Sequence, residues 1–346
     1  MYYISRNYKS LFDASGKAKT DCEYTLSNMG FKNLGFAQSS IPNSAIGAIK
    51  NSIGITIALL RLPFKSIICT QYPNNKFRKL IMFFANLKRC KIITIVHDVR
   101  SLKGRTNDID AELSKIISSD VIIVHNSSMK YWFLEKGTKI PIIELGIFDY
   151  ISKEKPNQNK KDNPIEVFEI AYAGGFGESK NSYIFDFDIL ENNKYKLKLY
   201  GKGFNKNKLK VEEGKSVLFY QGAFPSDEIA YNIEANFGLV WDGISTETCS
   251  GQYGAYLKYN NPHKTSLYLL SGLPVIVWDK AAIASFILDN NIGFSVSNLN
   301  ELNDILKNIK YSDYLLMKAN VLKVQEQVKI GQFLKNAVTK ALETLK

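Results

Sequence analysis

Tyr259-Asn260-Asn261-Pro262-His263-Lys264 runs on through Thr265-Ser266-Leu267-Tyr268-Leu269-Leu270-Ser271-Gly272-Leu273-Pro274 into Val275-Ile276-Val277-Trp278. It reads as loop, helix, tight turn and strand. Asn261 suits a helix cap, and Pro262 suits the first helical turn. Gly272 ends the helix and Pro274 stands just beyond it. Val275 to Val277 is the short apolar run expected of a strand covered on both faces. A helix entrance offers free backbone N–H groups, and here His263 and Lys264 stand beside them. That combination suits a diphosphate. The plainer alternative is a well-capped helix with a solvated lysine and histidine.

Outward from this stretch, apolar strands alternate with helical segments. Before residue 150, Ser66 to Thr70, Lys91 to Val96 and Asp120 to Val124 read as buried strands, with helices at Asn75 to Leu87 and Asp108 to Ser118. After a polar excursion over 152 to 165 the alternation resumes. Strands fit Glu169 to Ala173, Tyr195 to Tyr200, Ser216 to Tyr220, Phe237 to Trp241, Val275 to Trp278 and Gly293 to Val296. Helices fit Asp227 to Ala235, His263 to Ser271, Ala281 to Asp289 and Glu301 to Ile309, with a helical tail from Tyr311 that breaks near Gly331. The expectation is an α/β protein with two parallel-sheet domains facing across a cleft, 1–150 and 165–325. The segment 326–346 is expected as a helix crossing back to the first domain.

The 346 residues carry a net charge of +12, which calls for an anionic partner. No arginine-rich arm or zinc-finger spacing points to nucleic acid. No apolar run approaches the roughly 20 residues of a membrane span, and the start shows no signal-peptide core. Cys22, Cys69, Cys90 and Cys249 lack metal or redox spacing. A cytoplasmic protein with reduced thiols is expected. In the segment 76–89, Lys76, Arg78, Lys79, Lys88 and Arg89 flank the apolar run Leu80 to Ala85, which suits either a core helix with basic ends or peripheral contact with the inner membrane face.

The three histidines, His97, His125 and His263, all fall at expected strand ends or loops. His97-Asp98 offers a general base for a sugar hydroxyl. Glycine turns at Gly16-Lys17, Gly174-Gly175 and Gly201-Lys202-Gly203 let backbone approach a phosphate or sugar. Neither a Gly-x-Gly-x-x-Gly nor a P-loop occurs, which counts against dinucleotides and ATP. No cluster has metal-ligand spacing. The polar, aromatic segment from Trp241 to Lys258, with Asp242, Glu247 and Tyr256, suits either sugar recognition or an ordered surface loop whose tyrosines pack inward.

On these pieces the chain resembles the bacterial GT-B glycosyltransferases related to β-1,6-galactofuranosyltransferases and to the streptococcal adhesin glucosyltransferases. The matching pieces are Ser15-Gly16-Lys17-Ala18 with Asp21, Val96-His97-Asp98, His125-Asn126, Tyr172-Ala173-Gly174, Leu199-Tyr200-Gly201-Lys202-Gly203, and Trp241-Asp242-Gly243 followed by Tyr256 to Lys264. The resemblance implies two Rossmann-like domains. It also implies a UDP-sugar as substrate, with no separate cofactor, and metal-independent transfer to a glycan, lipid-linked or protein-linked acceptor. Asn261 and Lys264 match nucleotide-holding positions. His263, Tyr256, Lys258, Lys180, Gly174, Gly201, Lys202 and Asp242 join them as donor-site candidates. Gly16, Lys17 and His125 are candidates near the acceptor or a phosphate, and Asp98 or His97 is the expected base. One departure is Gly175, where relatives continue the strand with Asn. A homo-oligomer, dimer or tetramer, is expected. Competing expectations are a UDP-sugar epimerase of the same plan and a non-catalytic UDP-sugar-binding subunit.

Overall fold

In the computed structural model, residues 1–5, 14–37, 39, 44–73, 77–152, 167–189, 195–211 and 216–346 are described. Lys76 and all but the start of the polar excursion lie outside them. The chain divides into two compact units, Met1–Asp149 together with Ile330–Lys346, and Tyr150–Lys329.

The first unit is a parallel sheet of β1 (Tyr2–Tyr3), β2 (Lys32–Asn33), β3 (Ile67–Tyr72), β4 (Lys91–Val96), β5 (Val121–Val124) and β6 (Ile142–Glu144), in the order β2-β1-β3-β4-β5-β6. Helices α1 (Ala14–Asn28), α2 (Ser44–Arg61), α3 (Arg78–Leu87), α4 (Ile109–Ile117) and α5 (Ser127–Glu135) connect the strands. Alternate residues of a strand face opposite sides, and the core follows that rule. Ile68 and Ile92 pack on Ile55 and Leu59 of α2 and Ile81 and Ala85 of α3. Cys69, Ile93, Ile95, Val121 and Ile123 pack on Cys22 and Leu26 of α1 and on Leu334, Ala337, Val338 and Ala341 of the C-terminal helix.

Arg78 is not the lipid-facing cation expected from the sequence. It is buried, and its guanidinium donates to the Lys115 carbonyl at 3.0 Å, to Thr70 and Thr94 Oγ1 at 2.9 and 3.0 Å, and to Ser119 Oγ at 2.7 Å. Those acceptors make the burial tolerable. Burial still lowers its pKa from the usual value to about 10. All four cysteines are buried thiols.

The second unit comprises β7 (Phe168–Ala173), α6 (Glu178–Asn181), β8 (Tyr195–Tyr200), β9 (Leu218–Gly222), α7 (Ile229–Asn232), β10 (Phe237–Val240), α8 (Gly251–Tyr256), α9 (His263–Leu270), β11 (Val275–Trp278), α10 (Ala284–Asp289), β12 (Gly293–Val296), α11 (Leu302–Asn308) and α12 (Tyr311–Lys329). Its parallel order is β12-β11-β10-β7-β8-β9. From β7 the chain adds strands on one side, then returns to add β10, β11 and β12 on the other. The crevice past the C-terminal ends of β7 and β10 is thus the topological switch point. Tyr268 of α9 bolts it together: its phenol oxygen accepts from Ala173 N at 2.7 Å and donates to the Leu239 carbonyl at 3.2 Å. Gly238 is required there, because a side chain would overlap the Tyr268 ring.

The tail breaks at Gly331, as expected, but the helix that joins the first unit begins at Gln332 rather than at 326. α12 stays with the second unit, where Gln325 Nε2 donates to the Leu270 carbonyl at 2.6 Å. Gly331 then turns the chain with φ +78, and α13 (Gln332–Thr344) completes the first unit. Asp149 caps α13, accepting from Phe333 N at 3.2 Å and Leu334 N at 2.8 Å. A Cβ at Gly331 would overlap Thr25 of α1, whereas Gly137, at φ +77, has open space around it. Gly137→Ala should therefore cost only the left-handed backbone penalty, about 1 kcal/mol. Gly331→Ala should cost about 1–3 kcal/mol more. Urea unfolding followed by tryptophan fluorescence measures both, and equal losses would show that Thr25 yields freely.

Candidate functional site

At the switch point of the second unit, Lys264 projects from the second position of α9. Its side chain is 9% exposed. The ammonium lies 2.8 Å from Asp242 Oδ1, just past β10, and 4.3 Å over the ring of Tyr172 in β7. Tyr172 in turn donates to Asp242 Oδ1 at 3.3 Å and accepts from Asn181 Nδ2 at 2.7 Å. Burial, then the Asp242 charge, push the Tyr172 phenol far above its ordinary pKa, so it stays a donor. Asn181 closes the turn after β7: its Nδ2 donates to the Gly175 carbonyl at 3.0 Å, and its Oδ1 accepts from Gly177 N at 2.9 Å. The turn that begins with the departure at Gly175 is thus held by an asparagine six residues on.

The strand ends beside this group are stitched by backbone. Gly174 N donates to the Tyr200 carbonyl at 2.9 Å, Gly201 N to the Gly222 carbonyl and Phe176 N to the Lys202 carbonyl, both at 2.8 Å. A Cβ at Gly201 would sit inside the Gly174 carbonyl, so only glycine lets the two turns meet. Lys180 Nζ lies 3.7 Å from where a Gly174 Cβ would be. At the mouth of α9, His263 stacks on Tyr150 with centroids 4.7 Å apart. Asn260 Oδ1 and Thr265 Oγ1 are buried there without a hydrogen-bond partner among the described residues.

The structure therefore gathers Gly174, Lys180, Asp242, His263 and Lys264, with Gly201 and Lys202 on the adjoining turn. It does not gather Lys258, which lies over the Trp278 ring, or Tyr256, which is buried in α8. Asn261 is buried and is not the cap of α9; Pro262 occupies that position with no side-chain bond. Its missing N–H leaves one fewer donor to satisfy. Sequence reasoning missed Tyr172 and Asn181 as participants. Tyr172 belongs to the quoted Tyr-Ala-Gly piece, but nothing local shows that its ring meets a lysine 92 positions later.

In the first unit, His97 and Asp98 follow β4. Gln71 Nε2 donates to the Lys19 carbonyl at 3.3 Å, which leaves Gln71 Oε1 as acceptor. His97 Nε2 therefore carries its proton and donates to that oxygen at 2.7 Å. The His97 ring stacks on Phe148 at 5.3 Å. Asp98 pairs with Lys103 at 2.5 Å. His125 is buried rather than presented to a ligand; its Nε2 donates to the His97 carbonyl at 3.0 Å, so it holds the turn that carries His97 and Asp98. Gly16 lies inside α1 rather than before it, and Lys17 is spent on Asp21 at 2.5 Å, both side chains 5% exposed. Among the described residues, no group of three His, Cys, Asp or Glu side chains is placed to hold a metal ion.

Comparison with known proteins shows the family and the fold. The model of the glucosyltransferase 3-like N-terminal domain matches residues 1–147, and that of the glucosyltransferase 3-like C-terminal domain matches 170–341. The β-1,6-galactofuranosyltransferase WbbI of Escherichia coli is 30% identical over all of this chain and 99% of its own. Glucosyltransferase 3 of Streptococcus gordonii is 24% identical over 97% of this chain and 98% of its own. Among solved structures, HepE of Anabaena, determined with UDP and glucose, superposes with TM-score 0.61 at 10% identity, covering 99% of this chain and 100% of its own. The two-sheet architecture is the GT-B fold.

Burial lowers the pKa of His125 to about 4, outweighing the opposing pull of Asp98. The unfolded chain, with histidine near 6.5, then binds more protons. The stability His125 contributes is complete above pH 6.5 and is lost as pH falls toward 4. Asp149, raised by burial to about 7, acts with the opposite sign over an overlapping range, so the whole-protein slope is muted. The difference between wild type and His125→Gln isolates the histidine. The cost of that substitution at pH 7 should shrink by up to about 1.4 kcal/mol per pH unit between 6.5 and 4.5, as measured by urea unfolding. A pH-independent difference would show that His125 is not held neutral by burial.

Proposed function

We propose that this chain, which belongs to the glucosyltransferase 3-like family of glycosyltransferases, moves a hexose from a UDP-sugar to a glycan, lipid-linked or protein-linked acceptor in surface polysaccharide synthesis. Galactofuranose is the first donor sugar to test, on the likeness to WbbI, and glucose the second. The observation that carries the reading is Lys264 at the mouth of α9, between Asp242 and the Tyr172 ring at a switch point. A cation and the N-terminus of a helix add positive potential at one place. Asp242 is paired with the lysine, and the first turn of α9 contains no acidic residue. The diphosphate of the donor supplies the missing negative charge.

In the proposed reaction the acceptor hydroxyl attacks the anomeric carbon and UDP departs. Charge growing on the leaving diphosphate meets the α9 N–H groups and Lys264, with Lys180 and Lys202 nearby. Asn260 Oδ1, an acceptor, and Thr265 Oγ1 lie buried beside this terminus without a hydrogen-bond partner among the described residues. No metal is invoked in this scheme. The hydroxyl proton passes to Asp98 or His97 in the first unit. His125 and Gln71 hold that pair in place.

Removing Lys264 alone would strand a carboxylate 11% exposed, so the decisive variant is Lys264→Met with Asp242→Asn. It should keep its fold and weaken UDP binding about 10- to 100-fold, the worth of a charge-assisted hydrogen bond. Calorimetric titration with UDP measures this, and unchanged affinity would remove the donor-site assignment. Asp98→Asn should lower turnover of UDP-galactofuranose or UDP-glucose by about 10²- to 10⁴-fold with UDP affinity intact. A larger loss in His97→Ala than in Asp98→Asn moves the base to the histidine, and near-normal turnover in both places it elsewhere.

A further inference from the structure

One face of the first unit serves neither the donor site nor the histidine turn. α2 packs Ile55 and Leu59 inward on the sheet. Its opposite side carries Ile46, Ile49, Ile53 and Leu60, which are 56%, 61%, 49% and 66% exposed. Their spacing keeps them in one stripe. Phe64, just beyond α2, is 69% exposed. α3 repeats the arrangement beside it, with Ile81 and Ala85 inward and Leu80, Phe83 and Leu87 outward. A surface helix normally carries charge on its outer face, and one that is apolar all round is normally covered. Two neighbouring helices with outward apolar stripes mark an interaction surface.

Charge selects what covers it. Between Glu23 and Asp98 the sequence has no Asp or Glu and ten Lys or Arg. Of these, Arg61, Lys65, Lys79 and Arg89 are exposed at the ends of the two helices and the turn after α2. Lys88 donates to the carbonyls of Leu59, Leu60 and Leu62 at the end of α2, with its ammonium 5.9 Å over the Phe64 ring. Two copies of the chain meeting through this face would set cations against cations, with no carboxylate between Glu23 and Asp98 to offset them. An anionic bilayer offers both an apolar layer and negative headgroups. No helix among the described residues is long and apolar enough to cross it, so contact means lying on the surface.

We propose that the α2–α3 face of the first unit docks on an anionic lipid bilayer, its apolar stripes entering the acyl boundary and its cations meeting headgroups. This goes beyond the transferase assignment, resting only on exposure and charge in the first unit. It replaces the expected role of Arg78 with a stripe on α2 that the local sequence did not suggest.

The test is co-sedimentation of the full chain, at low salt, with vesicles of phosphatidylcholine alone or mixed with phosphatidylglycerol. The mixed vesicles should bind at least about tenfold more strongly, and added salt should release the protein. Ile49→Glu with Phe83→Glu, both exposed positions, should cut binding about tenfold or more while melting temperature and UDP titration stay as in wild type. Arg61→Glu with Lys65→Glu should do the same. Three results overturn the proposal. They are no binding to mixed vesicles at low salt, binding that survives the glutamates, and a dimer in solution that the glutamates convert to monomer. UDP titration of the same samples reads the donor site separately.

Discussion

A lysine whose side chain is 9% exposed beside the positive end of a helix needs reasons to be there. Desolvation and the helix dipole both act against the ammonium. Against them stand one carboxylate at 2.8 Å and one aromatic face at 4.3 Å. Much of the second unit keeps those two groups in position. Asp242 sits at the end of β10, Tyr172 at the end of β7, and Tyr268 of α9 ties both strands to the helix that carries Lys264. Asn181 then fixes the Tyr172 hydroxyl. The balance of one carboxylate against a lysine and a helix terminus leaves net positive potential, and on that surplus the donor assignment rests.

The first unit solves a similar problem by different means. Ser5 donates to Glu23 at 2.6 Å, Gln71 Nε2 donates to the Lys19 carbonyl and to Glu23, His97 donates to Gln71, and His125 donates to the His97 carbonyl. Gln71 thus fixes the tautomer of the His97 ring, and the His97-Asp98 turn is held by groups from α1, β3 and the residue after β5. Lys17 and Arg78, by contrast, are cations neutralised or solvated internally. They are structural charges, which is why net charge says less about function than where the unpaired part of it lies.

The alternation of strands and helices was legible because buried parallel strands such as Ile92 to Val96 are continuous apolar runs. Strands of two or three residues, β1, β2 and β6, are too short to carry a period in the sequence. α2 carries apolar residues inward, Ile55 and Leu59, and outward, Ile46, Ile49, Ile53 and Leu60, so it lacks a clear amphipathic signature. The helix α8 was hidden in a segment rich in Gly and Tyr. At the site, Lys264 and Asp242 were named from local sequence, but their pairing was not. Tyr172, Asn181 and the fate of Arg78 depend on contacts between distant segments, and no local pattern encodes those. Asparagine before Pro-His imitates a cap at Asn261, whereas Pro262 holds that position with no side-chain bond.

The return of the chain at Gly331 has a consequence for the order in which the protein is made. One side of the first sheet, with Ile93, Ile95, Val121 and Ile123, is covered by α13. During synthesis those strands leave the ribosome long before the residues that cover them. At about 5–20 residues per second, Leu334 follows Val124 by roughly ten to forty seconds. For that interval the first unit has its strands but not its whole core, while the second unit is emerging with every element its own core requires. The half of the protein that starts first is the half that finishes last, and the nascent chain must shelter an apolar sheet face until its final turns appear.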